Sequence, residues 1–135
     1  MEEKIVINNQ VEELNSIAAR IEELAEVWEL SMPLTMNINL VLEESVSNII
    51  FYAFPEGGKH LIEIILSLIN QELTIVIKDD GIPFDPTAKE QPDTNLPADE
   101  RPIGGLGIFL VKKIMDIVSY TREENKNILT LKKKL

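Results

Sequence analysis

The sequence predicts an α/β fold arranged as a two-layer sandwich, in which a mixed, mostly antiparallel sheet carries three helices on one face. Five short segments are rich in β-branched residues, as strands are. Three longer segments repeat apolar residues at steps of three and four, as amphipathic helices do. The whole chain of 135 residues is long enough for one hydrophobic core but too short for two. We therefore expect a single domain over residues 1–135.

The first half of the chain predicts one strand followed by two helices. A β-rich run at 4–8, closed by two asparagines, predicts an outer strand. Apolar periodicity predicts the first helix over 11–30, and the acidic stripe on its opposite face is interpreted as a solvated surface. A second helix is predicted over 34–53, because a proline and two glycines follow it.

The second half predicts two hairpins separated by a loop and a helix. The first hairpin joins strands at 60–69 and 72–78 through a tight turn. Four prolines among polar residues predict a mobile lid at about 86–103. The third helix is predicted over 106–117 and the last strands at 118–122 and 128–131, joined by a turn at 123–127. The closing lysines at 132–134 are predicted to be a frayed, solvated end.

Composition limits the classes of partner. The formal net charge is −10, which argues against binding to nucleic acid or to an anionic membrane, since both would repel the chain. There is no cysteine, so disulfides and thiolate metal sites are excluded. The longest apolar runs fall short of a membrane span, and the first residues lead into a strand. These features predict a cytoplasmic protein.

Three short segments in a fixed order predict a nucleotide site. Glu44 and Asn48 are four residues apart, so both lie on one face of the second helix. Asp79 ends a strand and Gly81 follows it in a turn. Glycines at 104–107 stand where the third helix begins, which leaves backbone N–H groups open to phosphate oxygens at the positive end of the helix dipole. Each segment alone is weak, and their order carries the prediction.

These segments, at 44–48 (ESVSN), 79–86 (DDGIPFDP) and 105–111 (GLGIFLV), resemble the three boxes of the gyrase, heat-shock-chaperone and histidine-kinase ATPase superfamily. More narrowly, the PFDP ending and the small size resemble the anti-sigma factor serine/threonine kinases of bacteria. The resemblance extends from the first strand to the last. It implies the histidine-kinase-like ATPase fold, with ATP held between the helices beneath the lid.

The resemblance also implies roles for individual residues. Glu44 would be the general base, and Asn48 would hold the Mg²⁺ that bridges the phosphates of ATP. Asp79 would accept a hydrogen bond from the adenine amino group. The remaining implied nucleotide-binding positions surround the base or the phosphates: Gly81, Pro83, Gly104, Gly105, Leu106 and Gly107.

The chain departs from the family pattern at three places. Tyr52 stands near a position where relatives often carry histidine, so any contact of that imidazole is in question. Asn127 and Ile128 stand where the last strand often has a Gly-Thr pair, so a weaker or absent contribution from this strand is expected. Lys89 and Arg101 are the candidates for a basic lid residue, but Arg101 is displaced from the glycines and neither receives a role.

The resemblance implies a function and its partners. The chain would phosphorylate a serine on an anti-sigma antagonist of the STAS type, bind a sigma factor or similar regulator, and form a homodimer. An alternative is a binding module that holds ATP or ADP and changes partner without transferring phosphate. A third possibility is slow hydrolysis or a stand-alone remnant of a histidine kinase. It is disfavoured because 135 residues leave no room for a phosphoacceptor helix bundle and the only histidine, His60, is poorly placed.

Overall fold

A computed structural model describes residues 1–88 and 105–135 of the chain. In order, the elements are β1 (Glu2–Asn8), α1 (Glu13–Val27), α2 (Met32–Tyr52), β2 (Leu61–Ile69), β3 (Glu72–Asp79), a short 3-10 helix (Pro86–Ala88), α3 (Gly105–Ile114), β4 (Ile117–Glu123) and β5 (Lys126–Lys134). The order of elements matches the prediction throughout. Most boundaries shift by one to three residues, as is usual for helix and strand ends.

The five strands form one sheet in the order β1-β2-β3-β5-β4, and every described pairing is antiparallel. The strand β1 lies at one edge, as predicted for an outer strand. The three helices pack side by side, with α2 between α1 and α3. The predicted two-layer α/β fold is therefore confirmed.

The core lies between the helices and one face of the sheet. Alternate residues of the central strands are fully buried on this face, including Ile64, Ile77 and Leu131. They meet a buried stripe of the helices, represented by Ile21 and Val41. Because side chains alternate between the two faces of a strand, the intervening positions face away from the helices. Burial along β2 alternates in this way.

The helix α2, which carries two of the predicted site residues, begins at a defined cap. The Ser31 hydroxyl accepts a hydrogen bond from the backbone N–H of Leu34 at 3.3 Å. Pro33 lies within the first turn, where the N–H that proline lacks would have no partner inside the helix. The helix then runs for 21 residues to Tyr52. Some of its residues pack in the core, and others line the candidate site.

The C-terminal hairpin differs from its prediction. The helix α3 ends at Ile114, and Ile117 already belongs to β4. The turn contains only Glu124 and Asn125, both with positive φ of 52° and 62°, in place of the five residues predicted at 123–127. Two-residue turns with positive φ match the twist of the strands that they join. The hairpin is therefore longer and tighter than the sequence indicated.

The closing lysines were wrongly predicted to be frayed. They extend β5, where Lys132 pairs with Thr74 on β3 and with Ile117 on β4. The backbone N–H of Lys134 also donates a hydrogen bond to the Asp116 carboxylate at 2.7 Å. Pairing on both sides outweighs the low strand propensity of lysine, because each backbone bond satisfies a polar group.

The first three residues of the predicted lid form a short helix. Pro86–Ala88 form a 3-10 helix instead of a loop. The Asp85 carboxylate accepts a hydrogen bond from the backbone N–H of Thr87 at 2.8 Å, and Lys112 on α3 donates to the Thr87 carbonyl at 3.0 Å. The rest of the lid, including Lys89, Arg101 and the predicted site residue Gly104, lies outside the described residues.

Candidate nucleotide site

A row of polar residues crosses the inner face of the sheet at one end. Strand pairing sets Asp79 on β3 directly opposite Asn127 on β5, and Asn127 opposite Arg122 on β4. One row further into the sheet, the equivalent positions are the apolar residues Ile77 and Leu129. The polar row therefore marks the boundary between the hydrophobic core and a site that can hold a polar ligand.

Asp79 is held in one orientation by its neighbours. Its side chain is 3% exposed, and Oδ1 accepts hydrogen bonds from the backbone N–H of Gly81 and from Asn127 Nδ2, both at 2.9 Å. Burial raises the pKa of Asp79, and the hydrogen bonds from Asn127 and Gly81 partly oppose that rise. Since both described hydrogen bonds fall on Oδ1, the second oxygen remains available to a donor such as the adenine amino group.

Asn127 joins the strands to the loop after β3. Besides its bond to Asp79, Nδ2 donates to the Ile82 carbonyl at 2.8 Å. Its oxygen accepts from the Tyr120 hydroxyl at 2.5 Å, from Arg122 Nη1 at 3.0 Å and from the backbone N–H of Phe84 at 3.3 Å. Asn127 was expected only as a weakened substitute on the last strand. In the structure Asn127 is instead the central hydrogen-bonding group beside Asp79. Its side chain is buried, with 4% exposure, and nothing in the sequence indicated this burial.

A small pocket opens beside Asp79. It is lined by side chains from α2, β3, the following loop, α3 and the last two strands, namely Ser45, Asn48, Ile49, Asp79, Phe84, Pro86, Ile108, Tyr120, Asn127 and Leu129. Its volume is about 10 Å³, room for about one water molecule. Phe84 stacks on Tyr52 with ring centroids 6.1 Å apart. At this volume the pocket is too small for an adenine ring.

The helix α2 brings two unpaired polar groups to this pocket. Asn48 lies in the wall with 7% exposure, and its amide forms no hydrogen bond with any other described residue. Ser45 also lines the pocket, and its buried hydroxyl has no partner within residues 1–88 and 105–135. Sequence reasoning missed Ser45, whose one signal was its position between Glu44 and Asn48. Buried polar groups without partners are uncommon, and a bound ligand would satisfy them.

Glu44 faces the first turn of α3. A Cβ added at Gly107 would overlap the Glu44 carboxylate, so the glycine creates the space that this side chain occupies. Glu44 is half-buried, and its carboxylate makes no ion pair or hydrogen bond with the described part of the chain. The neighbouring Glu43 is exposed. The structure thus brings Glu44 and Gly107 together beside Asn48, although they are far apart in sequence.

The other predicted residues fall into three groups. Gly105 begins α3, and Leu106 follows in its first turn, which places this backbone next to Glu44 and Gly107. Gly81 is buried behind Asp79. Pro83 is exposed and does not line the pocket, so the structure does not bring it together with the others.

Gly81 is required where the loop after β3 crosses the end of α2. The Ile82 N–H donates to the Ala53 carbonyl at 2.9 Å. A Cβ at position 81 would overlap that carbonyl oxygen and would lie 2.6 Å from the Ala53 Cβ and 2.9 Å from Asp79 Oδ1. Neither the helix end nor the strand can shift easily, because both belong to the core.

We therefore expect Gly81→Ala to destabilise the fold by about 1–3 kcal/mol and to weaken ATP binding, since relief of the overlap displaces Asp79. Urea unfolding and equilibrium binding of a fluorescent ATP analogue measure the two effects. Ile82→Ala is the control, because Ile82 is 48% exposed and its substitution should change the stability by less than about 0.5 kcal/mol. Wild-type stability and affinity in Gly81→Ala would contradict the role of this close approach.

His60 is not part of the pocket. Its ring stacks on Phe54 at 4.4 Å between centroids, and Nδ1 lies 3.0 Å from the Asp80 carboxylate. These contacts lie away from the predicted nucleotide site. Among the described residues, no helix combines the length and hydropathy that crossing a membrane requires.

Comparison with known sequences identifies relatives over most of the chain. The family described as "Histidine kinase-like ATPase domain" matches residues 7–133. The chain is 32% identical over 108 residues to the serine/threonine-protein kinase BtrW of Bordetella bronchiseptica, which covers 80% of this chain and 75% of that protein. It is 27% identical over 100 residues to the serine-protein kinase RsbW of Bacillus cereus, which covers 71% of this chain but only 62% of that protein.

Solved structures resemble this one in fold. A blue-light activated histidine kinase of Erythrobacter litoralis aligns with a TM-score of 0.62 and 17% identity, over 90% of this chain and 40% of that chain. A chain of the SiaB–SiaC complex from Pseudomonas aeruginosa aligns with a TM-score of 0.61 and 15% identity, over 97% of this chain and 89% of that chain. At these identities the likeness concerns the fold alone.

Proposed function

Because the chain belongs to the family of histidine kinase-like ATPase domains, we propose that it is an ATP-dependent kinase that phosphorylates a serine on a small protein partner. The observation that carries the proposal is the half-buried Glu44, whose carboxylate has no described partner and lies against the start of α3. Binding of nucleotide alone would not require a carboxylate there, whereas transfer to a hydroxyl does. The two similar proteins named above are both described as kinases.

Adenine recognition in this proposal depends on Asp79. Its second carboxylate oxygen accepts a hydrogen bond from the adenine amino group, while Gly81 and Asn127 hold the first oxygen. Guanine presents a carbonyl oxygen at the corresponding ring position, so two acceptors would meet. The site therefore selects ATP over GTP through a charged, buried acceptor, a type of interaction that discriminates strongly.

The residues present fit a Mg²⁺ ion that is shared with the phosphates. The Asn48 amide oxygen is a hard, neutral ligand without a described hydrogen bond, and Mg²⁺ is commonly held by one or two protein oxygens together with phosphate and water. The described residues contain no cluster of three or more His, Asp or Glu side chains that could hold a metal without the nucleotide. When bound, the ion would neutralise charge on the phosphates.

Glu44 would act on the attacking hydroxyl. Its carboxylate removes the proton of the partner's serine as the serine oxygen forms a bond to the γ-phosphorus, and the bond from that phosphorus to the β,γ-bridging oxygen breaks to release ADP. The N-terminal turn of α3, which begins at Gly105, offers backbone N–H groups to the phosphates. Most of the rate would come from positioning and from stabilised charge.

The resemblance to the anti-sigma factor kinases guides the choice of partner. We infer that the acceptor is an anti-sigma antagonist of the STAS type, and that the chain also binds a sigma factor or similar regulator, acting as a cytoplasmic homodimer. A non-catalytic switch that binds ATP or ADP is the alternative. The presence of Glu44 favours transfer.

Transfer of label from γ-labelled ATP and Mg²⁺ into proteins of the source organism's lysate tests the function. We expect the parent to label one small protein at serine. The label should be absent when Glu44→Gln replaces the parent. If the parent binds ATP but labels only those proteins that the Glu44→Gln variant also labels, the kinase proposal is wrong. The nucleotide-gated switch then replaces it.

Asn48→Ala should remove the magnesium dependence of ATP binding, because the amide is the proposed protein ligand of the ion. Affinity in the presence of Mg²⁺ should fall about 10- to 100-fold, while the affinity measured with EDTA should change little. Titration calorimetry with and without Mg²⁺ separates the two conditions. An equal loss under both conditions would assign Asn48 to the nucleotide or to the fold instead of to the metal.

A further inference from the structure

A second concave surface lies between α1 and the first half of α2, away from the nucleotide pocket. This α1–α2 groove has a volume of about 660 Å³. Nine residues line it: Glu22, Ala25, Glu26, Glu29, Leu30, Met32, Thr35, Met36 and Asn39. Its lining combines an apolar floor with an acidic edge. The nucleotide pocket uses none of these side chains.

Large, flexible apolar side chains of the groove are exposed to solvent. Met32 is 77% exposed and Met36 is 65% exposed, and both lie on the face of α2 that borders the groove. The nearby Val27, at the end of α1, is 76% exposed. Methionine is over-used at surfaces that bind helices, because its unbranched side chain adapts to different partners. A grouped apolar exposure of this kind marks an interaction site more often than scattered residues do.

The edge of the groove carries negative charge that the described residues do not compensate. Glu22, Glu26 and Glu29 are spaced along one face of α1 and into the following turn, and none of them forms an ion pair. The one arginine on α1, Arg20, already pairs with Glu3 at 2.5 Å. A partner with basic residues would therefore gain charge complementarity here, which steers association and selects among partners.

We propose that the α1–α2 groove is a docking site for a basic amphipathic helix of a partner protein. The apolar face of that helix lies on Met32, Met36 and Leu30, and its lysine or arginine residues face the three glutamates. The groove extends along α2 from Met32 to Asn39, about 10 Å at 1.5 Å per residue, which suits about two turns of a bound helix.

Charge argues against an anionic membrane surface as the occupant of the groove, because the glutamates at its edge would repel it. The docking site is also separate from catalysis, because Met36 and Asn48 are twelve residues apart on α2, about 18 Å along its axis. The proposal therefore does not depend on the kinase function.

Methyl NMR of methionine-labelled protein tests the site directly. The chain has four methionines: Met32 and Met36 in the groove, Met115 in the core at 5% exposure, and Met1 at 67% exposure. The probe is a synthetic helical peptide with leucines on one face and lysines on the other. We expect the Met32 and Met36 signals to shift with saturation while those of Met115 and Met1 stay in place.

Two control peptides and one matched pair of variants complete the experiment. A peptide of the same composition with its leucines spread around the helix, and a peptide with glutamate in place of lysine, should each bind at least about tenfold more weakly. Glu26→Lys should weaken binding of the basic peptide about fivefold or more. Glu23→Lys makes the same charge change on the exposed, neighbouring position that does not line the groove, and it should have a much smaller effect.

Several outcomes would overturn the proposal. Equal binding of the two lysine peptides would show charge attraction without a groove, and equal loss in the Glu26 and Glu23 variants would show the same. Shifts of Met32 and Met36 that depend on protein concentration without peptide would assign the surface to a second copy. Binding to phosphatidylserine vesicles in place of the peptide would assign it to a membrane.

Discussion

Glu44→Gln is expected to bind ATP with the affinity of the parent and to transfer phosphate about 10²- to 10⁴-fold more slowly. Glutamine has nearly the shape of glutamate, so it keeps the contact with Gly107 at the start of α3. It cannot accept the proton of the attacking hydroxyl. The substitution therefore separates the base from the rest of the site, which alanine would not do, because alanine would also leave a space beside Gly107.

Single-turnover transfer from labelled ATP to the partner protein measures the rate, and calorimetry measures the affinity. Glu43→Gln is the matched control. It removes the same charge from an exposed position on the same helix. Its rate should match that of the parent. If Glu44→Gln transferred phosphate at the parental rate, Glu44 would not be the base, and a group outside the described residues would have to supply it.

Asp79→Asn is expected to weaken ATP binding about 10- to 150-fold, the cost of losing a hydrogen bond to a charged acceptor. The asparagine oxygen can still accept from Gly81 and Asn127. Its amide nitrogen then replaces the second carboxylate oxygen and presents a donor to the adenine amino group. Because two donors now meet, the affinity falls although the shape of the pocket is unchanged.

The same substitution should raise the stability of the nucleotide-free protein at neutral pH. Burial raises the pKa of Asp79 above its ordinary value of 3.8, so the folded state holds its proton more tightly than the unfolded state. The stability that the protonated carboxyl provides is complete below pH 3.8 and is lost as the pH rises through the raised pKa. Asparagine carries no proton to lose, so the advantage of Asp79→Asn should grow with pH across this window and then level off.

Urea unfolding from pH 3 to pH 8 measures this advantage, and ATP binding at pH 7 measures the affinity. Glu56→Gln is the control for the loss of one negative charge, because Glu56 is exposed and its substitution should change neither quantity by much. A stability difference that does not vary with pH would contradict the buried charge at Asp79. Unchanged ATP affinity would contradict its contact with adenine.

The periodic parts of the sequence were sufficient to predict the fold. The amphipathic patterns of α1 and α2 and the alternation of β2 and β3 each reflect one period, and burial follows that period in the structure. The family resemblance, confirmed by the match over residues 7–133, rested on segments that are local in sequence. The errors lie at the C-terminal hairpin, where pairing with β3 extends β5 through residues that have little strand propensity of their own.

The site was predicted only as far as its local motifs reach. Glu44 and Asn48 share one face of their helix however that helix packs. Asp79 ends its strand whichever residues the strand pairs with. The pocket wall also contains Ser45, which lies within a motif but received no role, and Tyr120 and Asn127, which lie outside the three motifs. Pro83, which lies within a motif, is exposed instead. A motif thus locates the segment, but the side chains that face the ligand depend on how segments pack.

The sequence by itself determined the helices, the strands and the three motifs that predict a nucleotide site, because each arises from neighbours along the chain. Only the tertiary structure decided that Asn127 stands opposite Asp79 and that Gly107 makes room for Glu44. The register between β3 and β5 explains the first. These strands are not joined by a turn, and a shift by one residue would turn Asn127 to the opposite face. The packing of α3 on α2 explains the second, because contacts between distant segments are set by the shape of the whole core.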